Sequence, residues 1–465
     1  MTQSQKKEIS INAFYANTPG QSWIGLWSYP GSKAAQYTDL EYWTEVAGIA
    51  ERGLFDSIFF ADANGVHDVY EGKADAAIQR AAMFPMNDPF MLIPAMALVT
   101  KHLSFGVTAN LTYEQPFALA RRFSTLDHLT KGRISWNVVT GFQDSAARSM
   151  GLERQRDHDD RYDLADDYMD LVYRLWEGSW EDGAVVRDGA RRIYARPDRI
   201  HEIVHESAGL RARGVHMCEP SIQRTPVLFQ AGGSQRGRIF AAKHAECIFL
   251  SGLPRRQTAE RVREIRDRAA AQGRDPAQIK FIMMATVVTA PTSAEARDKH
   301  AALSAHVDAQ GMLALYSGLS GMDLSKEVER SLNGRPSNNG IASLVEHLLK
   351  EDKSLERLRD IAQFGGQVGR ACFMVGSPVE VADEMEAWMA ETGIDGFNLQ
   401  RAGEPQHLID FVDLVVPELQ NRGVYKQAYS QGSFRQKLFG AGDGVHPSHP
   451  AAKARRAPRM DEGDL

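Results

Sequence analysis

Short runs of apolar residues alternate along the chain with longer segments in which apolar residues recur every three or four positions. The short runs predict eight β-strands, at residues 9–14, 57–61, 103–108, 134–139, 226–230, 247–250, 280–289 and 396–399. Within these runs apolar residues follow one another instead of alternating with polar ones, which is typical of parallel strands covered on both faces. We therefore expect a parallel sheet enclosed by helices.

Three of the longer segments carry apolar stripes with helical spacing. The stripes comprise Leu40, Trp43, Val46 and Ala50; Phe117, Phe123, Leu126 and Leu129; and Tyr162, Ala165, Met169, Val172 and Trp176. Alternating strands and helices indicate βαβ units. Eight strands with helices between them favour an α/β fold of the closed (β/α)8 TIM-barrel type over an open sheet.

Two long segments and the C-terminus depart from this repeat. We predict a single barrel over residues 1–440, with insertions at 177–225 and 316–370 and a tail at 441–465. Long insertions in a barrel usually lie at or over the active-site face, and the glycine clusters of 316–370 suggest a lid. The tail is rich in Ala, Pro, Gly and charged residues, so we expect it to be disordered or to cross to a partner subunit.

Composition excludes several classes of function. The chain has 465 residues, 43% of them hydrophobic, and a formal net charge of -6 without any domain-sized basic region, which argues against nucleic acid as a partner. There is no apolar stretch long enough to span a membrane and no signal peptide, so we expect a cytoplasmic protein. Three cysteines without a CxxC pair argue against a disulfide framework or a structural zinc site.

Polar residues stand at the C-terminal ends of several predicted strands, where a barrel holds its ligands. They are Asp62, Thr108, Asn137, Thr140 and Gln230. Asn137 interrupts an apolar strand, and a buried polar group without a partner costs roughly 1–3 kcal/mol, so its carboxamide needs a protein or ligand partner. Asp62 alone could cap a turn, and Thr108 could be an ordinary strand residue. The shared position of all five favours a ligand site.

A Gly-Gly-Ser turn follows the fifth predicted strand and leads into a helical pattern. Gly233 allows close backbone approach, Ser234 adds a hydroxyl, and the free N–H groups of the following helix suit a phosphate. Arg236 and Arg238 could add positive charge. An ordinary strand–helix turn is the alternative. The segment lacks the P-loop, dinucleotide-binding and nucleophile-elbow patterns, which favours a mononucleotide or sugar phosphate over a built-in NAD domain and gives serine hydrolysis little support.

The start of the third helical segment contains a second group of polar residues. His158 and Tyr162 are four residues apart and share one helix face, from which both could reach a ligand. The neighbouring aspartates stabilise a helix N-terminus, and no second cluster of metal ligands is evident, so we expect no metal.

Several long strings of the sequence resemble one known family. They are ERGLFDSIFFAD, FGVTANLTYEQPF, LARRFSTLDHLTKGRISWNVVTG, RYDLADDYMDLVYRLWEGSWED, EPSIQRTPVLFQAGGSQRGR and GIDGFN. Across residues 8–425 the chain resembles the bacterial luciferase-like superfamily, and within it the two-component FMN-dependent monooxygenases that act on nitrilotriacetate, dibenzothiophene sulfone or dimethylsulfide. YTDLEYW, DVYEG and GMLALYSG look most like the dimethylsulfide branch.

The resemblance implies a (β/α)8 barrel that binds FMN as FMNH2, supplied by a separate NAD(P)H:flavin reductase. It implies reaction with O2 at the flavin C4a position, where the resulting peroxyflavin oxidises a small organic substrate, and assembly as a homodimer or homotetramer. By motif, Asp62, Thr108, Asn137, His158 and Tyr162 would contact the flavin, and Gly233 and Ser234 would hold its phosphate. His158 is the candidate for a hydrogen bond to the peroxide oxygen. The family more often has two serines in the turn, so Gly233 removes one hydroxyl.

The resemblance leaves the substrate and two alternatives open. A small thioether is the first candidate substrate, and an amine or aminopolycarboxylate is the alternative. The same barrel also occurs in deazaflavin-dependent dehydrogenases and in non-catalytic flavin-binding proteins.

Overall fold

The computed structural model describes residues 7–325 and 372–456. Eight parallel strands form a closed barrel. In ring order they are β1 Ser10–Ala16, β2 Ser57–Ala61, β3 Ser104–Asn110, β4 Ile134–Val139, β9 Val227–Gln230, β10 Cys247–Leu250, β11 Lys280–Thr289 and β13 Gly396–Gln400, and β13 pairs with β1 to complete the ring. Strands β5–β8 form the hairpins of the insertion described below. All eight predicted strands are present, so the predicted barrel is confirmed. A ninth strand, β12 (Phe373–Gly376), pairs with the end of β11.

Helices surround the barrel. They are α1 Leu40–Arg52, α2 Asp75–Gln79, α3 Ile93–Val99, α4 Pro116–Thr130, α5 Asp144–Ser149, α6 His158–Tyr173, α7 Gln235–His244, α8 Arg255–Ala271, α9 Ser293–Ala305, α10 Ala309–Ser320, α11 Pro378–Thr392, α12 Gln406–Asp410, α13 Val416–Asn421 and α14 Phe434–Phe439. The predicted stripe of α6 is buried throughout. The stripes of α1 and α4 are shorter than predicted, because Leu40 and Leu129 are 50% and 59% exposed near the helix ends. In the described residues no helix is long and apolar enough to cross a membrane.

Strand β4 shows how the sequence divides between the two sides of the barrel wall. Ile134, Trp136 and Val138 belong to the core between wall and helices. Asn137 and Val139 instead line a cavity inside the barrel. Neighbouring strand residues point to opposite faces, so the polar residue in this apolar run faces the interior.

The insertion at 177–225 contains two antiparallel hairpins, Val185–Asp188 with Ile193–Ala195 and Ile203–Glu206 with Arg211–Gly214. It lies against the outer helices: His205 Nε2 is 2.8 Å from an oxygen of Asp167 on α6, and His216 Nε2 is 2.9 Å from the Ser124 hydroxyl on α4. No residue of 177–225 lines either lobe of the cavity described below. We expected this insertion at the active-site face, whereas its observed contacts are with the outside of the barrel. Of the predicted lid at 316–370, residues 316–320 end α10, and the part beyond residue 325 lies outside the described residues.

The C-terminal segment covers the N-terminal ends of the strands. Phe434 of α14 packs among side chains inside the barrel, and its N–H donates to the carbonyl of Gly132, just before β4. Arg435 is buried and donates to both carboxylate oxygens of Glu246, just before β10. We expected residues 441–465 to be disordered or to reach a partner. Within the described part, His449 and Ala451 are buried against the same chain, and 457–465 lie outside it.

Candidate active site

A cavity at the C-terminal ends of the strands consists of two adjoining lobes. The larger lobe, of about 340 Å³, is mainly apolar, and the smaller, of about 240 Å³, is more polar. We call them the apolar lobe and the polar lobe. Both are lined by Asp62, Ala63, Val139, Phe142 and Ala231, which therefore mark the junction. All seven predicted site residues line at least one lobe: Asp62 lines both, Thr108 and Asn137 line the apolar lobe, and His158, Tyr162, Gly233 and Ser234 line the polar lobe.

Asn137 and Thr108 form a pair on neighbouring strands. Asn137 Nδ2 donates to Thr108 Oγ1 at 2.9 Å, and that hydroxyl donates to the carbonyl of Phe60 at 2.7 Å. Asn137 Oδ1 is buried and has no hydrogen-bond partner among the described residues. The predicted need for a partner is therefore met on one side of the carboxamide only, and the oxygen is available to a ligand donor.

Asp62 follows β2 and lines both lobes. Burial raises the pKa of its carboxyl to about 7, which outweighs the lowering effect of a hydrogen bond from the Ala63 backbone; the charges of Asp88 and Glu114 raise it further. The carboxyl group thus changes between acceptor and donor near neutral pH.

The polar lobe lies at the N-terminus of α7. Ser234 caps this ten-residue helix, and its hydroxyl accepts a hydrogen bond from the N–H of Gly237 at 3.0 Å. A Cβ atom on Gly232 would lie 2.3 Å from the amide nitrogen of Gln230 and 2.9 Å from the backbone of Gly237, so a larger residue there would force these groups to shift. The segment is thus an ordinary strand–helix turn with a serine cap, and it also lines the polar lobe. The ordinary turn and the predicted phosphate site are therefore compatible.

Positive charge reaches the polar lobe from a residue that the sequence analysis did not single out. Arg161 on α6 is only 2% exposed and lines the lobe. Its guanidinium donates to the carbonyl of Arg156, its Nε has no partner, and it forms no ion pair within the described residues. Burial lowers its pKa, but a guanidinium stays charged. The spacing to His158 and Tyr162 could have suggested it, since positions i, i+3 and i+4 share a face.

The two arginines that we expected to add charge here are used elsewhere. Arg236 pairs with Asp163 and Asp166 on α6. Arg238 pairs with Glu264 and donates to the carbonyl of Gly233. Their charges are neutralised by carboxylates that lie far from them in sequence, and neither residue lines a lobe.

His158 and Tyr162 both line the polar lobe, with ring centroids 5.2 Å apart. His158 Nδ1 is 2.7 Å from an oxygen of Asp159, and the Tyr162 hydroxyl is 3.5 Å from the amide of Gln230. His158 therefore shares the lobe of Arg161 and Ser234 and does not line the apolar lobe. Its catalytic role stays a prediction, and its position favours a binding role.

Aromatic and aliphatic side chains from strands, from α10 and from the loop after β4 form most of the apolar lobe. Phe14, Phe59, Phe142, Phe249, Met284, Leu315 and Leu319 are among them. Asn398 on β13 is fully buried there, and neither its side-chain oxygen nor its nitrogen has a partner in the described residues. In the ring order β13 lies opposite β4, so Asn398 and Asn137 line the cavity from opposite walls. Asn398 was not among the predicted site residues, although, like Asn137, it is a polar residue within an apolar strand.

The chain is similar to known proteins over nearly its whole length. A family model described as luciferase-like monooxygenase matches residues 23–396. The chain belongs to the luciferase-like monooxygenase family. It is 46% identical to a long-chain alkane monooxygenase of Geobacillus thermodenitrificans (strain NG80-2), over 97% of this chain and 98% of that protein. It is 45% identical to a dimethyl-sulfide monooxygenase of Hyphomicrobium sulfonivorans, over 97% of this chain and 95% of that protein.

Solved structures agree with this membership. The crystal structure of a long-chain alkane monooxygenase superposes with a TM-score of 0.89 and covers 98% of this chain and 100% of its own. A riboflavin lyase with modified FMN and riboflavin is 35% identical, with a TM-score of 0.88, over 97% of this chain and 100% of its own. The predicted family and class are confirmed: the protein is a flavin-dependent luciferase-like monooxygenase.

A flavin nucleotide fits the residues of this luciferase-like barrel. The unpartnered Asn137 Oδ1 can accept from a ring N–H, the phenyl rings of the apolar lobe suit a flat aromatic body, and Arg161 with the α7 N-terminus suits a phosphate. These features lie in adjoining lobes, which a ligand with one apolar and one anionic end can span.

Proposed function

We propose that this protein is an FMNH2-dependent monooxygenase that uses O2 to oxidise a small neutral organic molecule, with a thioether as the first candidate. The observation that carries the proposal is the junction of an apolar lobe with a polar lobe lined by Arg161, a buried arginine that forms no ion pair with any described residue. FMN has a flat ring and a single phosphate, which match the two lobes. A dinucleotide would need a second phosphate and nucleoside site.

The residues divide by their position in the cavity. Arg161, Ser234 and Gly233 would hold the phosphate, with His158 and Tyr162 beside it. Asn137, oriented by Thr108, would accept a hydrogen bond from the ring, and Asp62 would contact the ring at the junction. Reduced FMN, when bound, supplies the two electrons with which one oxygen atom of O2 enters the substrate and the other leaves as water.

The apolar lobe would protect the reaction from water. Oxygen activated on a flavin is lost as hydrogen peroxide where water has access, so an oxygenase needs a dry site. Phe59, Phe249 and Met284 lie on barrel strands, which hold these side chains in fixed positions. Their apolar surfaces would keep water out of the lobe. This role also accounts for the lack of a nucleophile or metal cluster among the predicted site residues, since the cofactor performs the difficult step.

Charge in the apolar lobe favours a neutral substrate. No lysine or arginine lines this lobe among the described residues; its titratable side chains there are Asp62, His67 and the phenol of Tyr316. Burial lowers the pKa of His67 to about 4, so its ring is neutral at physiological pH. An aminopolycarboxylate would bury several carboxylates without a countercharge, which is costly. The relatives named for alkane and dimethyl-sulfide oxidation have similar identities, so a hydrocarbon is the second candidate.

The source of reduced FMN is a separate NAD(P)H:flavin reductase in this proposal. The chain has no dinucleotide-binding pattern, and its relatives belong to the group that acts with a reductase. Assembly as a homodimer or homotetramer stays a prediction.

The test is anaerobic photoreduction of FMN, addition of the protein and diethyl sulfide, and then mixing with 18O2, with no reductase present. We expect the sulfoxide carrying 18O, or the thiol and aldehyde from cleavage of the C–S bond, in stoichiometry with FMNH2. n-Octane and nitrilotriacetate serve as comparison substrates. Oxygen consumed only to hydrogen peroxide with every substrate would favour a non-catalytic flavin-binding protein. Tighter binding of a reduced deazaflavin than of FMNH2 would favour the dehydrogenase alternative.

A further inference from the structure

His67 lines the apolar lobe and has no place in the flavin assignment above. It follows β2 in a loop and is 3% exposed. Helix α10 passes so close to its ring that a Cβ atom on Gly318 would lie 1.9 Å from His67 Nδ1. The ring is therefore held in position between the loop and a helix that also contributes Leu315 and Leu319 to the lobe.

The position of the proton on this ring follows from its neighbour Gln143. Gln143 Nε2 donates to the carbonyl of Gly65 at 3.1 Å, and it lies 3.3 Å from His67 Nδ1. The carbonyl accepts only, so the nitrogen of the amide must face it, and a flipped amide would put two oxygens together. The second N–H of the amide then points to Nδ1. Nδ1 must be the acceptor, and the proton of the neutral ring lies on Nε2.

The Nε2–H donor has no partner. Nε2 is buried, and no described residue forms a hydrogen bond with it. A buried donor without an acceptor is uncommon in folded proteins and calls for an explanation in each case. Gln21, Tyr316 and Asn398 also bring buried donors without a partner among the described residues to this lobe. The donor on His67 differs from them because the contact with Gln143 fixes the proton on Nε2.

We propose that His67 is a specificity-determining residue that donates a hydrogen bond from Nε2 to a lone-pair acceptor on the substrate. The lobe then selects a neutral molecule with an apolar body and one acceptor, as in a thioether, over a hydrocarbon of the same shape. This inference rests on the proposed function, which assigns the apolar lobe as the substrate site.

The test uses the full-length protein loaded with oxidised FMN and three ligands of equal chain length: n-pentane, diethyl sulfide and 3-pentanone. Their dissociation constants are measured by ligand-observed NMR for the wild type, His67→Phe, His67→Gln and the lining control Leu315→Met. We expect His67→Phe to lower the preference for 3-pentanone over n-pentane by about three- to tenfold, as one neutral hydrogen bond predicts. His67→Gln, which keeps an N–H near the position of Nε2, restores the preference, and Leu315→Met leaves it unchanged.

The proton position is measured directly in the wild type. In protein with 15N-labelled histidine, the ring signals absent from His67→Gln identify His67, and we expect a protonated Nε2 and an unprotonated Nδ1. A proton on Nδ1, an unchanged ligand preference in His67→Phe, or no binding of any of the three ligands would overturn the inference. These readouts involve no turnover. If no substrate is oxygenated but the wild type still prefers 3-pentanone through His67, the proposed function alone is contradicted. If oxygenation occurs but His67→Phe leaves the ligand preference unchanged, the role of His67 alone is contradicted.

Discussion

Asn137 Nδ2 donates a hydrogen bond to Thr108 Oγ1 at 2.9 Å, and this bond fixes which end of the Asn137 carboxamide is free. Thr108 Oγ1 already donates to the carbonyl of Phe60, so it can only accept from Asn137. The amide oxygen is thereby left without a protein partner at the wall of the apolar lobe. This oxygen is therefore available to a hydrogen-bond donor on a ligand.

Asn137→Val should weaken flavin binding more than it affects folding. Valine removes an unsatisfied buried oxygen and leaves Thr108 bonded to Phe60, so we expect the thermal midpoint of the apoprotein to stay the same or rise. Loss of one hydrogen bond to the ring should raise the FMN dissociation constant by about tenfold, measured by flavin fluorescence titration. Ser135→Ala is the matched control, because Ser135 lies two residues earlier on β4 and its hydroxyl donates to the carbonyl of Phe105, its one side-chain hydrogen bond with the described residues. A large fall in the midpoint with unchanged FMN affinity would make Asn137 a structural residue.

Arg161→Met should separate the binding of FMN from that of riboflavin. A charge-assisted hydrogen bond contributes about 1.5–3 kcal/mol, so we expect the FMN dissociation constant to rise roughly ten- to hundredfold. Riboflavin has no phosphate, and its dissociation constant should change little. Arg236→Met is the control, since Arg236 is paired with Asp163 and Asp166 and should leave the ratio of the two constants unchanged. Equal losses for both flavins would show that Arg161 supports the fold of the lobe instead of a phosphate.

Asp62→Asn should change the pH dependence of stability. Burial raises the pKa of this carboxyl from 3.8 to about 7, so the folded apoprotein holds a proton that the unfolded chain releases. Wild-type stability therefore falls as pH rises from about 4 to about 7. The shift corresponds to at most about 4 kcal/mol, which screening at a partly exposed carboxylate reduces to roughly 2 kcal/mol. The asparagine variant should have the higher urea midpoint at pH 8 and an equal one near pH 4. Parallel pH profiles of the two proteins would contradict the raised pKa.

Arg435→Ala should destabilise the barrel without changing the site. Arg435 and Glu246 form a buried ion pair at the N-terminal ends of the strands, and removal of one partner leaves an unpaired buried charge at a cost of about 3 kcal/mol. We expect a lower urea midpoint and an FMN dissociation constant close to that of the wild type. Arg256→Ala is the control, because Arg256 is paired on an exposed helix surface. A loss of FMN affinity in the folded variant would mean that the two ends of the barrel are coupled.

The local pattern of apolar residues was sufficient to predict the barrel. Each barrel strand is an apolar run bounded by turns, because each strand is buried on both faces. His158 and Tyr162 followed from helical spacing, and Gly233 and Ser234 from the turn motif. Asp62, Thr108 and Asn137 followed from their position toward the C-terminal ends of strands, a rule that needs no knowledge of packing. The same rule would have added Asn398, whose setting between apolar neighbours on β13 matches that of Asn137.

Charge pairing and chain packing could not be predicted in this way. Arg236 looked available beside the Gly-Gly-Ser turn, yet its partners Asp163 and Asp166 lie on α6. Arg161 was not among the predicted site residues, and only the fold shows that it is buried and forms no ion pair with a described carboxylate. The contacts of 177–225 with the outer helices depend on pairs such as His205 with Asp167, which no local pattern encodes.

The pairing of the first barrel strand with the last has a consequence for synthesis. Ser10 lies opposite Gly396 in the parallel register of β1 and β13, so one edge of β1 has no neighbour until almost the whole chain has been made. During translation the nascent protein therefore carries an open strand edge, which is prone to wrong pairing. Closure of the ring is a late event, and a chain cut short before residue 396 could not form the finished wall.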